Sequence, residues 1–246
     1  MLRKKIFKLS TTAFKERGTE IQRIEALSDA VFAFSVSLLV VSLEVPQTYE
    51  ELSVLLNGAI PFFATVAMIF LFWYQQYKFF RRYGLNDIHT ILLNLAYLAV
   101  ILFYVYPLKF LFSLLIASWT GINLFPQAAE KGLSIIHQED FSQLIILFSI
   151  GYGVIWFLLF LMYHRAFSCR EKLALTGFEI MYTLKEKRGA LWNVLIGFAA
   201  IVMALAGWEL YAGICYLFIP VFLFLNELRF KKERKKDSKK QQRTNT

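Results

Sequence analysis

From Phe141 to Tyr163 the chain reads FSQLIILFSIGYGVIWFLLFLMY, without one formal charge. A run this long exceeds the roughly 20 apolar residues that an α-helix needs to cross a bilayer. In lipid every backbone N–H and C=O must be satisfied within the protein, so a single apolar run crosses as a helix. Five further runs are long and mostly apolar: Arg23 to Val45, Val54 to Tyr77, a stretch within Ile91 to Trp119, Ala190 to Gly207, and Leu210 to Leu228. Residues are 57% hydrophobic and 18% charged, against about a quarter charged in soluble domains. The expected fold is therefore an all-α polytopic membrane protein with six transmembrane helices. Pro61 is expected to kink the second span. The third is longer than a crossing requires, so it either tilts or breaks at Pro107 with Lys109 reaching back to the interface.

The net charge of +9 lies mostly at the two ends, in MLRKKIFK and RFKKERKKDSKK. Basic residues flanking apolar spans mark the cytoplasmic side and anionic lipid, not nucleic acid. The short connections agree. KFFRRY, HRAFSCREK and KEKR are basic, whereas PQTYEE and the Trp208–Glu209 turn are not. All the basic segments fall on one side if both termini are cytoplasmic, as six spans allow. The chain then divides into a cytoplasmic segment 1–22, a transmembrane domain 23–230 and a basic tail 231–246, the last expected to be disordered. The stretch Gln127 to Gln138 is the longest outside loop, with room for a short surface helix. The first span is too polar at its front edge for a signal peptide and has no small-residue cleavage site after it.

No enzyme signature is present: no phosphate-binding glycine loop, no HExxH, no nucleophile elbow. His89, His137 and His164 sit near span ends or in loops on opposite sides, so they cannot gather around one metal. Cys169 and Cys215 lie far apart, without disulfide or metal spacing. No cofactor is expected.

The informative polar residues stand at the front of span one, RIEALSDAVFAFSVSLLVVSLEV. An ionisable group within a span costs roughly 2.5–3.5 kcal/mol at the helix centre and less near its end, so Asp29 requires a partner or a favourable helix N-terminus. At about 100° per residue, Leu27, Ala30, Val31, Phe34, Ser37, Leu38 and Val41 share one side of the helix. Asp29 lies about 140° from Phe34 around the axis, so it is expected to face neighbouring helices. Ser37 suits either close helix packing or a wet pathway.

Arg23-Ile24-Glu25-Ala26-Leu27-Ser28-Asp29 resembles the RxxxFSD signature of the transmembrane protein 175 family of potassium channels. AVFAFSVSLLVVSLEVP after it is similar to that family's first helix. FLFWYQQYKFFRRY resembles the Trp-containing end of its second, and NLAYLAVILFYVYPLKFLFSLL its third, with Pro107 at the matching proline. The resemblance implies a homotetramer in a bacterial plasma membrane, four copies of span one lining a central pore permeable to potassium ions. Counting from the signature aspartate, it places the apolar constriction and its neighbouring hydroxyl on Phe34, Ser37 and Val41. It places an interhelical polar network on Arg23, Ser28 and Asp29. Leu27 stands where the signature has Phe, Phe34 where relatives have Leu or Ile, and Gln76 or Tyr77 where they have a histidine.

Two other functions are open to such a chain. A proton-coupled secondary transporter would use Asp29 and Glu25, yet transporters hold substrate near the midplane, and no span has a charge there. A non-conducting membrane scaffold would require no pore. Without a TVGYG-like segment, a filter of backbone carbonyls is excluded.

Overall fold

The structure, a computed structural model, describes residues 14–41, 45–122, 124–125 and 138–244. All regular structure among them is helical: α1 (Arg23–Val41), α2 (Tyr49–Asn57), α3 (Ala59–Tyr83), α4 (Ile88–Thr120), α5 (Gln138–Ser168), α6 (Gly177–Leu205), α7 (Glu209–Ile214), a turn of 3₁₀ helix (Cys215–Phe218) and α8 (Ile219–Thr244). Six segments are long and apolar enough to cross a membrane: α1, α2 with α3, α4, α5, α6, and Tyr211–Arg234. This is the six-span, all-α architecture that the charge-free runs predict. The N-terminal residues 1–13 and most of the Gln127–Gln138 loop, to which the sequence assigned a basic segment and room for a helix, lie outside the described residues.

The differences are local. The break in the second span comes at Gly58, between α2 and α3, and not at Pro61. Pro61 falls in the first turn of α3, where backbone N–H groups have no intrahelical acceptor and proline is tolerated. α4 passes through Pro107 as one helix. Val105 and Leu108, both buried, pin it to the core on either side. The last helix continues to Thr244, through the segment expected to be disordered. Its Lys, Arg, Glu and Gln residues are good helix formers, and helix already built in α8 removes the nucleation cost.

Helix ends follow from chemistry that the sequence carries. α3 closes on Gly84 in the left-handed region (φ 57°), whose N–H reaches Phe80 O, with Arg81 and Arg82 in the last turn against the negative end of the dipole. α6 opens with a capping box: Thr176 accepts from the Glu179 N–H, and Glu179 accepts from the Thr176 N–H. α5 and α6 form an antiparallel hairpin. Buried Ala190, Gly197, Ala200 and Ala204 line one side of α6, and at Gly197 the α5 backbone comes close, 3.3 Å from Ser149 O to where a Cβ would sit, as small residues allow between helices in lipid.

The core is aromatic. Phe72, Phe79, Phe80 and Tyr83 of α3, Tyr97 and Ile101 of α4, and Ile155, Leu159 and Met162 of α5 are almost wholly buried. α1 lies on the flank of this core. It packs on α3 and α4 mainly through one buried stripe: Ile24, Ser28, Phe32, Ser35 and Leu39.

Candidate pore-lining helix and its anchor

The buried stripe of α1 advances by three or four residues, the spacing that keeps side chains on one helix face. Two of its five members are serines. Ser35 turns its hydroxyl back to Val31 O at 2.8 Å. Ser28 does the same to Ile24 O at 2.7 Å, and its oxygen also accepts from Asn94 Nδ2 at 3.0 Å. Asn94 Oδ1 in turn accepts from Gln76 Nε2 at 3.1 Å. All three side chains are buried, so a continuous hydrogen-bonded chain ties α1 to α4 and α4 to α3. Each link is stronger for being away from water, and each would leave costly unpaired groups if broken.

Beside this chain, Trp73 Nε1 donates to Asp29 Oδ1 at 2.8 Å. The Trp73 ring stacks on Tyr77, with centroids 5.4 Å apart. Asp29 therefore does reach a neighbouring helix, as the wheel predicts, although its side chain is exposed. Arg23 is not drawn in. It is exposed, and its side chain makes no hydrogen bond or ion pair among the described residues. Of the position matched to the family's histidine, Gln76 rather than Tyr77 enters the buried chain. Trp73, Gln76 and Asn94 were not singled out as partners of span one. The signal for them was present: Gln76 and Asn94 are amides inside apolar runs, and such groups are buried only with partners.

The segment leading into α1 forms a strap across the same end of the bundle. Arg17 grips Glu179 with both arms, at 3.0 and 2.8 Å, and its Nε donates to Leu173 O at 3.0 Å. Glu179 is 1% exposed. Gly18 N–H donates to Arg81 O at 3.1 Å, and Arg81 Nη1 returns a bond to Gly18 O at 2.9 Å. A Cβ on Gly18 would sit 2.4 Å from Phe80 O, so only glycine lets the strap lie this close to α3. Phe14 meets Tyr83 and Tyr182 edge-on, and Gln22 Nε2 donates to Gly84 O at 3.2 Å. In the α3–α4 connection, partial burial pushes the Asp87 carboxyl up. Hydrogen bonds from Thr90 and Arg165, with the Arg165 charge, outweigh it and hold the group below the usual carboxylate range.

The opposite face of α1 is largely uncovered, although Val31 and Leu38 at its edge are half-buried. Phe34 is 56% exposed and Val41 78%; Ser37 is exposed, its hydroxyl donated to Ala33 O at 3.0 Å. Ala26, Ala30 and Ala33 are exposed alongside them. One helix thus carries a side joined to its neighbours by two polar links, at Ser28 and Asp29, and a barer face with a bulky ring, a hydroxyl and small residues. Among the described residues no three His, Cys, Asp or Glu side chains gather to hold a metal.

Residues 23–104, which contain α1, α3 and the first half of α4, match the family model described as endosomal/lysosomal potassium channel TMEM175. A protein of Marivirga tractuosa named "Potassium channel" is 34% identical over 229 residues, covering 90% of this chain and 93% of its own. Among solved structures, the chain is similar to a variant of the potassium channel MtTMEM175 crystallised with a nanobody–MBP fusion. There the TM-score is 0.78 and the identity 32%, over 89% of this chain and 97% of that one. A TMEM175 homolog from Chamaesiphon minutus, described as a lysosomal potassium-selective channel, shares the fold with a TM-score of 0.52 at 20% identity, over 83% of this chain and 96% of that one. Six membrane-crossing segments make this an integral membrane protein, and a relative matched at this identity along nearly its whole length shows that the chain belongs to the TMEM175 potassium channel family.

Proposed function

We propose that this protein is one subunit of a potassium-permeable channel, a homotetramer in a bacterial plasma membrane, in which four copies of α1 line the central pore. The bare face of α1 carries this reading. A span that packs one face on its own chain and leaves Phe34, Ser37 and Val41 uncovered suits a helix whose other neighbours are copies of itself. Phe34 is the constriction: four phenyl rings around a narrow axis would exclude water, and a dewetted ring blocks ions without any charge. Ser37 sits about one turn farther along. Its proton is given to Ala33 O, which leaves its oxygen lone pairs as a ring of acceptors for a partly dehydrated cation. Val41 extends the apolar wall. Ser28 and Asp29 hold the opposite face to α3 and α4, and Arg23 is free to complete its polar network against a neighbouring subunit.

The hydrogen bond from Trp73 gives Asp29 a positioning task at the helix front edge, which favours an anchor over the proton carrier of a transporter. The test is current through purified protein in planar bilayers. Phe34→Ala is expected to raise potassium current severalfold, with expression and oligomer mass unchanged. Unchanged current in a correctly assembled Phe34→Ala protein would remove Phe34 as the constriction.

A further inference from the structure

Lys187 of α6 and His164 of α5 meet where the charge-free parts of both helices end, and Lys187 Nζ lies 2.9 Å from His164 Nδ1. The ammonium donates to this ring nitrogen in the tautomer that carries its proton on Nε2. Lys187 also rests 5.2 Å from the Phe160 ring centre and 5.8 Å from that of Phe167. Beside it runs a groove of about 160 Å³, lined by Phe160, Leu184, Lys187, Arg188 and Leu191.

The three cations of α6 are treated differently. Lys185 pairs with Glu227 at 2.6 Å. Arg188 holds both oxygens of Glu233 at 3.0 Å, so it contributes a wall to the groove but little net charge. Lys187 has no carboxylate partner among the described residues; its neighbours are the His164 imidazole and two aromatic faces. Two of its three N–H donors are left to a ligand. From Gly189 to Leu205 α6 carries no charge, and neither does α5 from Phe141 to Tyr163. The pair therefore stands at the level where hydrocarbon gives way to headgroups. Trp192, stacked on Phe222 at 4.8 Å, lies just inside it, as interfacial tryptophans do.

We propose that Lys187 and His164 form a headgroup site for an anionic phospholipid. A phosphodiester oxygen accepts from Lys187 Nζ, His164 Nε2–H supplies a second donor, and the upper acyl chain follows Phe160 and Leu191. The unpaired cation calls for an anion, the apolar lining calls for a chain attached to it, and the groove is too small for a protein segment. At this depth the surrounding bilayer supplies both. The site requires only that the protein be embedded in the membrane, so it stands or falls separately from the pore.

The experiment is lipid titration of the full-length protein in detergent, read by native mass spectrometry, with phosphatidylglycerol and phosphatidylcholine as probes. A basic residue near the surface is worth about fivefold in affinity for an anionic lipid. Lys187→Gln is expected to weaken phosphatidylglycerol binding by about that factor and to leave phosphatidylcholine unchanged, while Lys187→Arg stays near the wild type. Leu191→Glu puts a carboxylate in the groove without touching the pair and is expected to abolish the preference for phosphatidylglycerol. Lys172→Gln, on the exposed turn after α5, is expected to have no effect. Equal phosphatidylglycerol binding by Lys187→Gln and the wild type would overturn the site. So would an equal loss in Lys172→Gln, or displacement of the lipid by inorganic phosphate.

Discussion

Asn94 is the residue on which the seating of α1 turns. It both donates to Ser28 and accepts from Gln76 inside the protein, so its side chain closes two links at once. Truncating it strands a buried hydroxyl oxygen and a buried amide, each costing about 1–3 kcal/mol when left unpaired. Asn94→Ala is therefore expected to lower the unfolding temperature by several degrees in a fluorescence-detected size-exclusion assay. Asn94→Asp tests the polarity of the link, because a carboxylate accepts from Gln76 but has no N–H for Ser28; it should fall between the wild type and Asn94→Ala. An Asn94→Ala protein as heat-stable as the wild type would mean that the chain of amides contributes nothing. Ser28 itself could be picked out as a polar residue at the front of the span, but its partner could not. Asn94 is 66 positions away, and no local pattern announces which of several polar residues in apolar runs will meet.

At the scale of elements, the six crossings were legible because lipid imposes one rule on all of them: a long charge-free run must be helical. The two faces of α1 were legible too, since 100° per residue already separates Asp29 from Phe34. Finer features were not. The interruption at Gly58 depends on where the first turn of α3 begins, and Pro61 is tolerated once it falls inside that turn. The strap was invisible because it is made almost wholly of contacts between distant positions: Arg17 and Glu179 are 162 residues apart. Its closeness to α3 makes a sharp prediction. Gly18→Ala forces a methyl group toward Phe80 O, backbone that cannot rotate away, and the strap must lift, loosening the Arg17–Glu179 pair. Losing one partner of such a buried pair costs about 3–5 kcal/mol. Limited proteolysis is expected to cut Gly18→Ala within residues 14–22 well before the wild type, with a Glu179→Gln protein behaving alike. Equal cleavage rates would show that the strap is held by other contacts.

Over the whole molecule, Arg17, Arg81, Arg82, Arg165, Lys185 and Arg188 all belong to one end of the bundle, where they pair with Glu179, Glu16, Glu186, Asp87, Glu227 and Glu233. The positive-inside rule predicts that this end faces the cytoplasm. The uncovered face of α1 belongs to the same scale, because in the proposed channel its neighbours are copies of itself. The purified protein is accordingly expected to have the mass of four chains by multi-angle light scattering after correction for detergent. A monomeric mass, in detergent that preserves the fold, would exclude a pore made of four first helices.

The strap also sets an order on how the protein is made. Arg17 leaves the ribosome long before Glu179 exists, by 162 residues, which at 5–20 residues per second is on the order of ten seconds. Until then the first helix is in the membrane without the clamp on the segment that leads into it. Ser28 can meet Asn94 as soon as α4 is in place, but the strap closes only with the birth of α6, so the lead-in to the first helix is among the last parts of the fold to be fixed.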